Sequence, residues 1–246
     1  FIGRSIEREE DIELLKGNAR FADDIPFRKD ALHASFVRSP YSHAKILKIN
    51  ISEALKLDGV EAVLTGEDVI KSPEPFVVGV KQPMEHWCLG VKKVRYVGEP
   101  VAIVIARNRY IAEDATELVN VEYDLLPPVM NIESSIKSNA PILHEKVKSN
   151  IVSERNFNYG NVEKAFSLAN NIVEIDVEYP RNSCTPIECF NVISEYSDEN
   201  KSYNVLSNFQ GPMALHPVMA MALKIPGNKL RLRAPQNSGG SFGVKQ

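Results

Sequence analysis

Pro100-Val101-Ala102-Ile103-Val104-Ile105-Ala106-Arg107-Asn108-Arg109-Tyr110-Ile111-Ala112-Glu113-Asp114-Ala115-Thr116-Glu117-Leu118-Val119-Asn120-Val121-Glu122-Tyr123 changes hydrophobic period twice within 24 residues, and that change decides the fold class. The first seven residues are almost continuously apolar, the mark of a strand covered on both faces. From about Arg109 to Leu118 the pattern becomes helical, with Ile111, Ala115 and Leu118 on one face and Glu113, Asp114 and Glu117 on the polar side. Val119 to Tyr123 returns to strand period and is closed by Pro127-Pro128. A strand, a helix and a strand in succession imply a mixed domain of helix packed on sheet.

Upstream, Leu32 to Val37 reads as a strand with Leu32, Ala34 and Phe36 on one face, and Ile46 to Ile51 as another. Ser52 to Leu57 is a short helix with Ser52 as its N-cap and Gly59 as its stop. Val60 to Leu64 is a further strand, and Lys71 to Gln82, with Pro73, Pro75 and Gly79, is an irregular excursion. Downstream, the Ser-, Asn- and Lys-rich stretch 128–150 reads as a linker. A second unit follows: a helix at Val162 to Ala169, then Val173, Ile175, Val177 and Tyr179 alternating with Glu174, Asp176 and Glu178 as a half-exposed antiparallel strand. Asn191 to Tyr196 and Tyr203 to Asn208 form a hairpin across Asp198-Glu199-Asn200. Met213 to Leu223 is helical, with Pro217 near its first turns, and Lys229 to Ala234 is a strand with Leu230 and Leu232 inward. The division is 1–127, linker 128–150, and 151–246.

The 246 residues are 43% hydrophobic and 25% charged with a net charge of −3, an average composition that excludes collagen-like, disordered and disulfide-scaffold classes. No apolar run reaches the ~20 residues of a membrane span, and the mild acidity argues against nucleic acid as a partner. Cys88, Cys184 and Cys189 fit no zinc or iron–sulfur spacing; Cys184 and Cys189 could in principle face each other, but the odd count favours free thiols of a cytoplasmic protein. The chain starts at Phe1 and stops at Gln246 just behind a glycine cluster, as a fragment of a longer subunit would.

That cluster, Pro235-Gln236-Asn237-Ser238-Gly239-Gly240-Ser241-Phe242-Gly243, is the sharpest chemical feature. Glycines free the backbone for positive φ and let successive amides form an anion-binding nest, although a plain tight turn needs the same residues. It is neither a dinucleotide fingerprint nor a P-loop. Gln210 ends a strand before Gly211-Pro212; its carboxamide either points into a cleft or satisfies the following turn. Glu188, among apolar neighbours, is an ion-paired structural group or a carboxyl with a raised pKa, the former favoured. Arg95 and Glu99 are placed for a local pair. His86 and Cys88 lack further metal ligands, His216 reads as a packed histidine, and Ser238 and Ser241 lack a base. No residue is assigned as catalytic or as a direct metal ligand.

Together these segments resemble a known family. Ile2-Gly3-Arg4, Gly17-Asn18-Ala19-Arg20-Phe21-Ala22-Asp23-Asp24-Ile25, His33 to Ala44, Val94-Arg95-Tyr96-Val97-Gly98-Glu99-Pro100-Val101-Ala102, Pro186-Ile187-Glu188, Phe209-Gln210-Gly211-Pro212 and Gly239-Gly240-Ser241-Phe242-Gly243 are similar, in order, to the large subunit of molybdenum hydroxylases. That family includes xanthine dehydrogenase, aldehyde oxidase and aerobic carbon monoxide dehydrogenase. The resemblance implies an α+β chain: an α/β hammerhead domain in 1–127, then the incomplete start of a molybdopterin-binding α+β domain. It implies that Gln210 approaches an oxo ligand of molybdenum, and that Gly239, Gly240, Phe242 and Gly243 line the cofactor, a molybdopterin in its cytosine dinucleotide form.

The implied reaction is oxidation of an aldehyde or N-heterocycle with water as oxygen donor, electrons leaving through 2Fe-2S clusters to FAD. The implied partners are a 2Fe-2S small subunit and an FAD-binding medium subunit, in a higher oligomer of heterotrimers. The alternatives are a carbon monoxide dehydrogenase segment and a non-catalytic assembly module. The family's general base, a glutamate far along the large subunit, is not matched to Glu188. Gln246 stands where xanthine dehydrogenases carry a purine-binding glutamate; as a weak substrate-pocket residue without that charge, it argues against a purine. Ser241 stands where a third glycine is common.

Overall fold

Residues Pro100–Ala106 form the middle strand of a three-stranded antiparallel sheet in the computed structural model, which describes residues 1–76, 84–180 and 182–245. In chain order the elements are α1 (Asp11–Leu15), β1 (His33–Arg38), β2 (Ala44–Asn50), α2 (Ser52–Lys56), β3 (Val60–Thr65), α3 (Gly66–Val69), β4 (Lys93–Val94), β5 (Pro100–Ala106), α4 (Arg109–Glu117), β6 (Asn120–Leu125), α5 (Ile132–Ser135), α6 (Val162–Leu168), β7 (Val192–Ser197), β8 (Ser202–Ser207), α7 (Pro212–Ala222) and β9 (Leu230–Arg233).

The first sheet has the order β1-β5-β3, with Val104 opposite Ser35 on one side and Val63 on the other. Alternation sorts the side chains of β5 between two layers. Ala102 and Val104 pack with Ala54, Val63, Ala115 and Val119 beneath α2 and α4. Val101 instead packs with Ala44 and Val94, from the second sheet, β4-β2-β6. Burial on both faces is therefore what the unbroken apolar run encodes. Helix α4 begins where the side chain of Asn108 accepts the N–H of Ile111 at 2.9 Å, an N-cap. It buries Ala112 and Ala115, whereas Leu118 is exposed.

Leu32, Ala34 and Phe36 share a face as expected, the outer one, while His33, Ser35 and Val37 turn inward. One expected detail differs. Ile51, rather than Ser52, occupies the N-cap position of α2, and the amide of Ser52 donates to Asn50 Oδ1 at 3.0 Å. The excursion at 71–82 lies outside the described residues from Val77 onward.

The stretch 128–150 carries α5 and is tied to the first unit by side chains. Lys93, buried, pairs with Glu145, and Arg95 Nε donates to the carbonyl of Leu143 at 2.8 Å. Asn150 accepts from Leu143 N–H and donates to the carbonyls of Ser135 and Pro141. Arg95 and Glu99 do not form the expected ion pair: the carboxylate accepts the backbone N–H of Arg95, and the guanidinium turns to the carbonyl of Leu143.

In the second unit, hairpin β7–β8 is antiparallel, and β9 adds to β8 in parallel after the crossover helix α7. Val205, Ala220 and Leu230 form the core between sheet and helix. The strand expected at Val173 to Tyr179 is absent. Its apolar residues are 78–89% exposed and no backbone partner faces them among the described residues, so the alternation has no ladder to join.

Because Val104 is fully buried between β1 and β3, Val104→Ala removes two methyl groups and leaves a cavity. The variant is expected to lower unfolding free energy by about 2 kcal/mol, read from the urea midpoint at unchanged m-value.

Candidate active site

Strands β8 and β9 run parallel, so the segments that leave their carboxyl ends emerge at the same edge of the sheet. Gln210 follows β8, and the glycine loop 235–243 follows β9. The two meet directly: Gly243 N–H donates to Gln210 Oε1 at 2.7 Å, and Gln210 N–H donates to the carbonyl of Lys245 at 2.7 Å. Because an N–H faces it, the bonded carboxamide atom is the oxygen. Gln210 is exposed, and its Nε2 has no hydrogen-bond partner among the described residues.

Within the loop Gly240, Phe242 and Gly243 have φ of 95°, 50° and 89°, the left-handed region that costs a non-glycine residue such as Phe242 some strain. The amides of Gly240, Ser241 and Phe242 have no hydrogen-bond partner among the described residues. Three successive free donors, no carboxylate in the loop and the nearby Gln210 amide suit an anionic, oxygen-rich ligand. Phe242 is exposed beside them. Gln246 lies outside the described residues.

Glu188 holds the loop from behind. Its Oε2 accepts Gly239 N–H at 2.8 Å and the ammonium of Lys245 at 2.9 Å, and its Oε1 accepts the N–H of Ala22 at 3.3 Å. The Lys245 side chain is wholly buried and that of Glu188 is 12% exposed. A Cβ on residue 239 would stand 2.4 Å from Glu188 Cβ, so only glycine permits this approach. The arm carrying Ala22 is fastened further by Arg20 N–H to Asn237 Oδ1 and Asn191 Nδ2 to Asp23 Oδ1, both at 3.0 Å. Asn208, buried at the end of β8, donates to the carbonyl of Cys189 and accepts from Asn191 N–H.

Glu188 is thus ion-paired, as the sequence favoured. Burial pushes its carboxyl up, but hydrogen bonds from Gly239, Lys245, Asn208 and Ala22 prevail and hold it below its ordinary value. Lys245 and the arm at Ala22 were missed from sequence; a lysine just behind a glycine loop was the available signal for the first, and nothing local marked the second.

The remaining singled-out residues lie elsewhere. His216 Nε2 contacts the carbonyls of Gly227 and Leu230 at 3.1 and 2.9 Å, a packed histidine. His86 lies in a cleft of about 220 Å³ with Trp87, Tyr96 and His144, apart from the loop. All three cysteines are free, and no cluster of three or more His, Cys, Asp or Glu among the described residues is arranged to hold a metal ion. No helix among them is long and apolar enough to cross a membrane.

A folded-state carboxyl held below its unfolded value adds stability that is complete above about pH 4.3 and is lost as pH falls through the lower, folded value. Melting temperatures measured from pH 6 down to pH 2 are therefore expected to fall more steeply below about pH 4.3 for the wild-type protein than for Glu188→Gln.

Residues 16–127 match the family described as aldehyde oxidase and xanthine dehydrogenase, a/b hammerhead domain, and residues 143–246 match the molybdopterin cofactor-binding domain. The chain is 31% identical over 252 residues to the nicotine 6-hydroxylase large subunit of Paenarthrobacter nicotinovorans, covering 99% of this chain and 30% of that protein. It is 32% identical over 261 residues to the carbon monoxide dehydrogenase large chain of Hydrogenophaga pseudoflava, covering 96% and 31%. The crystal structure of quinoline 2-oxidoreductase from Pseudomonas putida 86 superposes with a TM-score of 0.85 at 31% identity, over 99% of this chain and 31% of that one. The chain spans less than a third of the length of these relatives, two of which are named as a large subunit or large chain. With a hammerhead domain followed by molybdopterin-binding sequence, the chain belongs to the molybdenum hydroxylase family and corresponds to a segment of its large subunit.

Proposed function

We propose that this segment forms part of the molybdopterin site of a hydroxylase that oxidises an N-heterocycle or an aldehyde, with water as the oxygen donor. The observation that carries the reading is the convergence of Gln210 and the glycine loop, whose bonded residues are 33 positions apart, at the carboxyl ends of two parallel strands. The amides of Gly240, Ser241 and Phe242, with Gly239 and Gly243 on either side, would hold the electron-rich pterin and its phosphate. Gln210 Nε2 would donate to an oxygen on the metal without adding charge. When bound, the molybdenum cofactor supplies the redox chemistry, taking up the electrons of the oxidation. Phe242, exposed beside the free amides, would shield that face from water.

In this reading residues 1–127 are the hammerhead domain, 128–150 the linker and 151–246 the start of the cofactor-binding domain. The cofactor is the cytosine dinucleotide form. Electrons leave through a 2Fe-2S small subunit to an FAD-binding medium subunit, in a cytoplasmic oligomer of heterotrimers. Gln246, lacking the charge that a purine site uses, supports a non-purine substrate. Relatives named for nicotine and quinoline favour an N-heterocycle.

Elemental analysis of the complete complex is expected to find molybdenum and iron, and its visible absorbance a flavin; absence of molybdenum overturns the reading. In that complex Gln210→Ala should keep subunit assembly and lose about 10–100-fold in turnover. Normal turnover at full molybdenum occupancy would remove Gln210 from the site.

A further inference from the structure

We infer that Glu188 is a positioning residue of the cofactor loop: one carboxylate fastens both ends of residues 239–245 and the arm of the first unit, and through Lys245 it sets the carboxamide of Gln210. The inference rests on the cofactor reading above for its functional meaning, and on the hydrogen bonds alone for its geometry.

Both ends of the loop converge on a single oxygen, Glu188 Oε2, through Gly239 N–H at 2.8 Å and Lys245 Nζ at 2.9 Å. The other oxygen reaches Ala22, 166 positions away in the chain, which joins the hammerhead arm to the same clasp. Lys245 does not stop at the ion pair. Its carbonyl accepts Gln210 N–H, and Gln210 Oε1 accepts Gly243 N–H within the same loop. The path is therefore closed: carboxylate to ammonium, lysine carbonyl to glutamine amide, glutamine oxygen back to loop amide. Releasing the carboxylate frees the Lys245 end, and with it the carbonyl that fixes the backbone of Gln210, whose carboxamide is bonded to Gly243.

The pair is also selective in where it acts. Lys245 is completely buried, and Glu188 is its one carboxylate partner among the described residues. A buried ammonium stripped of its counter-charge must move or find water, and either response displaces the chain next to the loop. The apolar cores around Val104 and Val205 share no residue with the clasp, so the disturbance stays local.

The test uses the full-length subunit in its complex, comparing wild type, E188Q and the double variant E188Q/K245M by amide hydrogen exchange and by molybdenum content. In E188Q, peptides spanning 236–246 and 19–25 are expected to exchange about tenfold faster or more, while peptides of β5 and α4 keep wild-type protection. Molybdenum content is expected to fall in parallel. Where E188Q alone fails to assemble, E188Q/K245M has no charge left to bury and serves in its place, with the same acceleration expected in the loop. Uniform acceleration throughout the chain reduces Glu188 to a general stabiliser, and an unchanged loop in a molybdenum-loaded complex removes its positioning role; either result overturns the inference. A wild-type complex without molybdenum overturns the cofactor reading instead, while the exchange comparison still decides whether Glu188 positions the loop.

Discussion

The site depends on a carboxylate and an ammonium withdrawn together from water. Burying either charge alone is costly, so the pair holds only where geometry and added hydrogen bonds compensate for lost hydration. Glu188 meets that condition by accepting Gly239 N–H and Ala22 N–H besides the Lys245 ammonium. The compensation is itself what shapes the site, because each donor belongs to a different segment: the arm before β1, the start of the glycine loop and its end. A hydrophobic contact in the same place would hold these segments near one another without fixing which amides remain free.

The free amides of Gly240, Ser241 and Phe242 are the other side of that arrangement. A loop of this composition, isolated, samples many backbone states, since glycine has the largest conformational freedom to lose. Here its two ends are bonded to Glu188 and its turn at Gly243 is bonded to Gln210. Donors already aimed need no reorganisation when an anionic ligand arrives, which is the physical advantage of a preorganised polar site. The parallel pairing of β8 with β9 contributes the remaining constraint by bringing Gln210 and the loop to one edge.

What was legible in the sequence follows the range of the interactions concerned. The run at β5 and the helix after it were readable because burial on two faces, then on one, writes directly into local periodicity. The β7–β8 hairpin was readable for the same reason. Val173 to Tyr179 has the period of a strand but no strand, since alternation records a preference for a half-buried surface and a ladder needs a partner that no local pattern supplies. The grouping of Leu32, Ala34 and Phe36 on one face of β1 is legible from alternation, whereas which face is covered depends on the neighbouring elements: Leu32 and Phe36 lie outward while His33 and Ser35 turn in. Charge proximity in sequence misleads at Arg95 and Glu99, where the guanidinium bonds the carbonyl of Leu143 and the carboxylate takes the Arg95 backbone N–H. The glycine loop and Gln210 were each visible as local features, and their association came only through resemblance. Glu188 and Lys245, 57 positions apart, form a tertiary contact that neither segment announces.

The two units consequently differ in what fixes them. The first has apolar layers on both sides of β5, so its shape is set by burial, which is non-directional and insensitive to proton uptake. The second has a small core of Val205, Ala220 and Leu230, and residues 172–179 expose their apolar side chains. The position of its loop is therefore assigned to directional, charge-assisted bonds, which specify individual atoms where packing specifies only volumes. This division suits a cofactor-binding site: the scaffold tolerates exchange of one apolar side chain for another of similar volume, whereas the loop has no equivalent substitute for a carboxylate that takes an amide and an ammonium on one oxygen. The arm at Ala22 joins the two regimes, so a loop governed by electrostatics is anchored to a domain governed by packing.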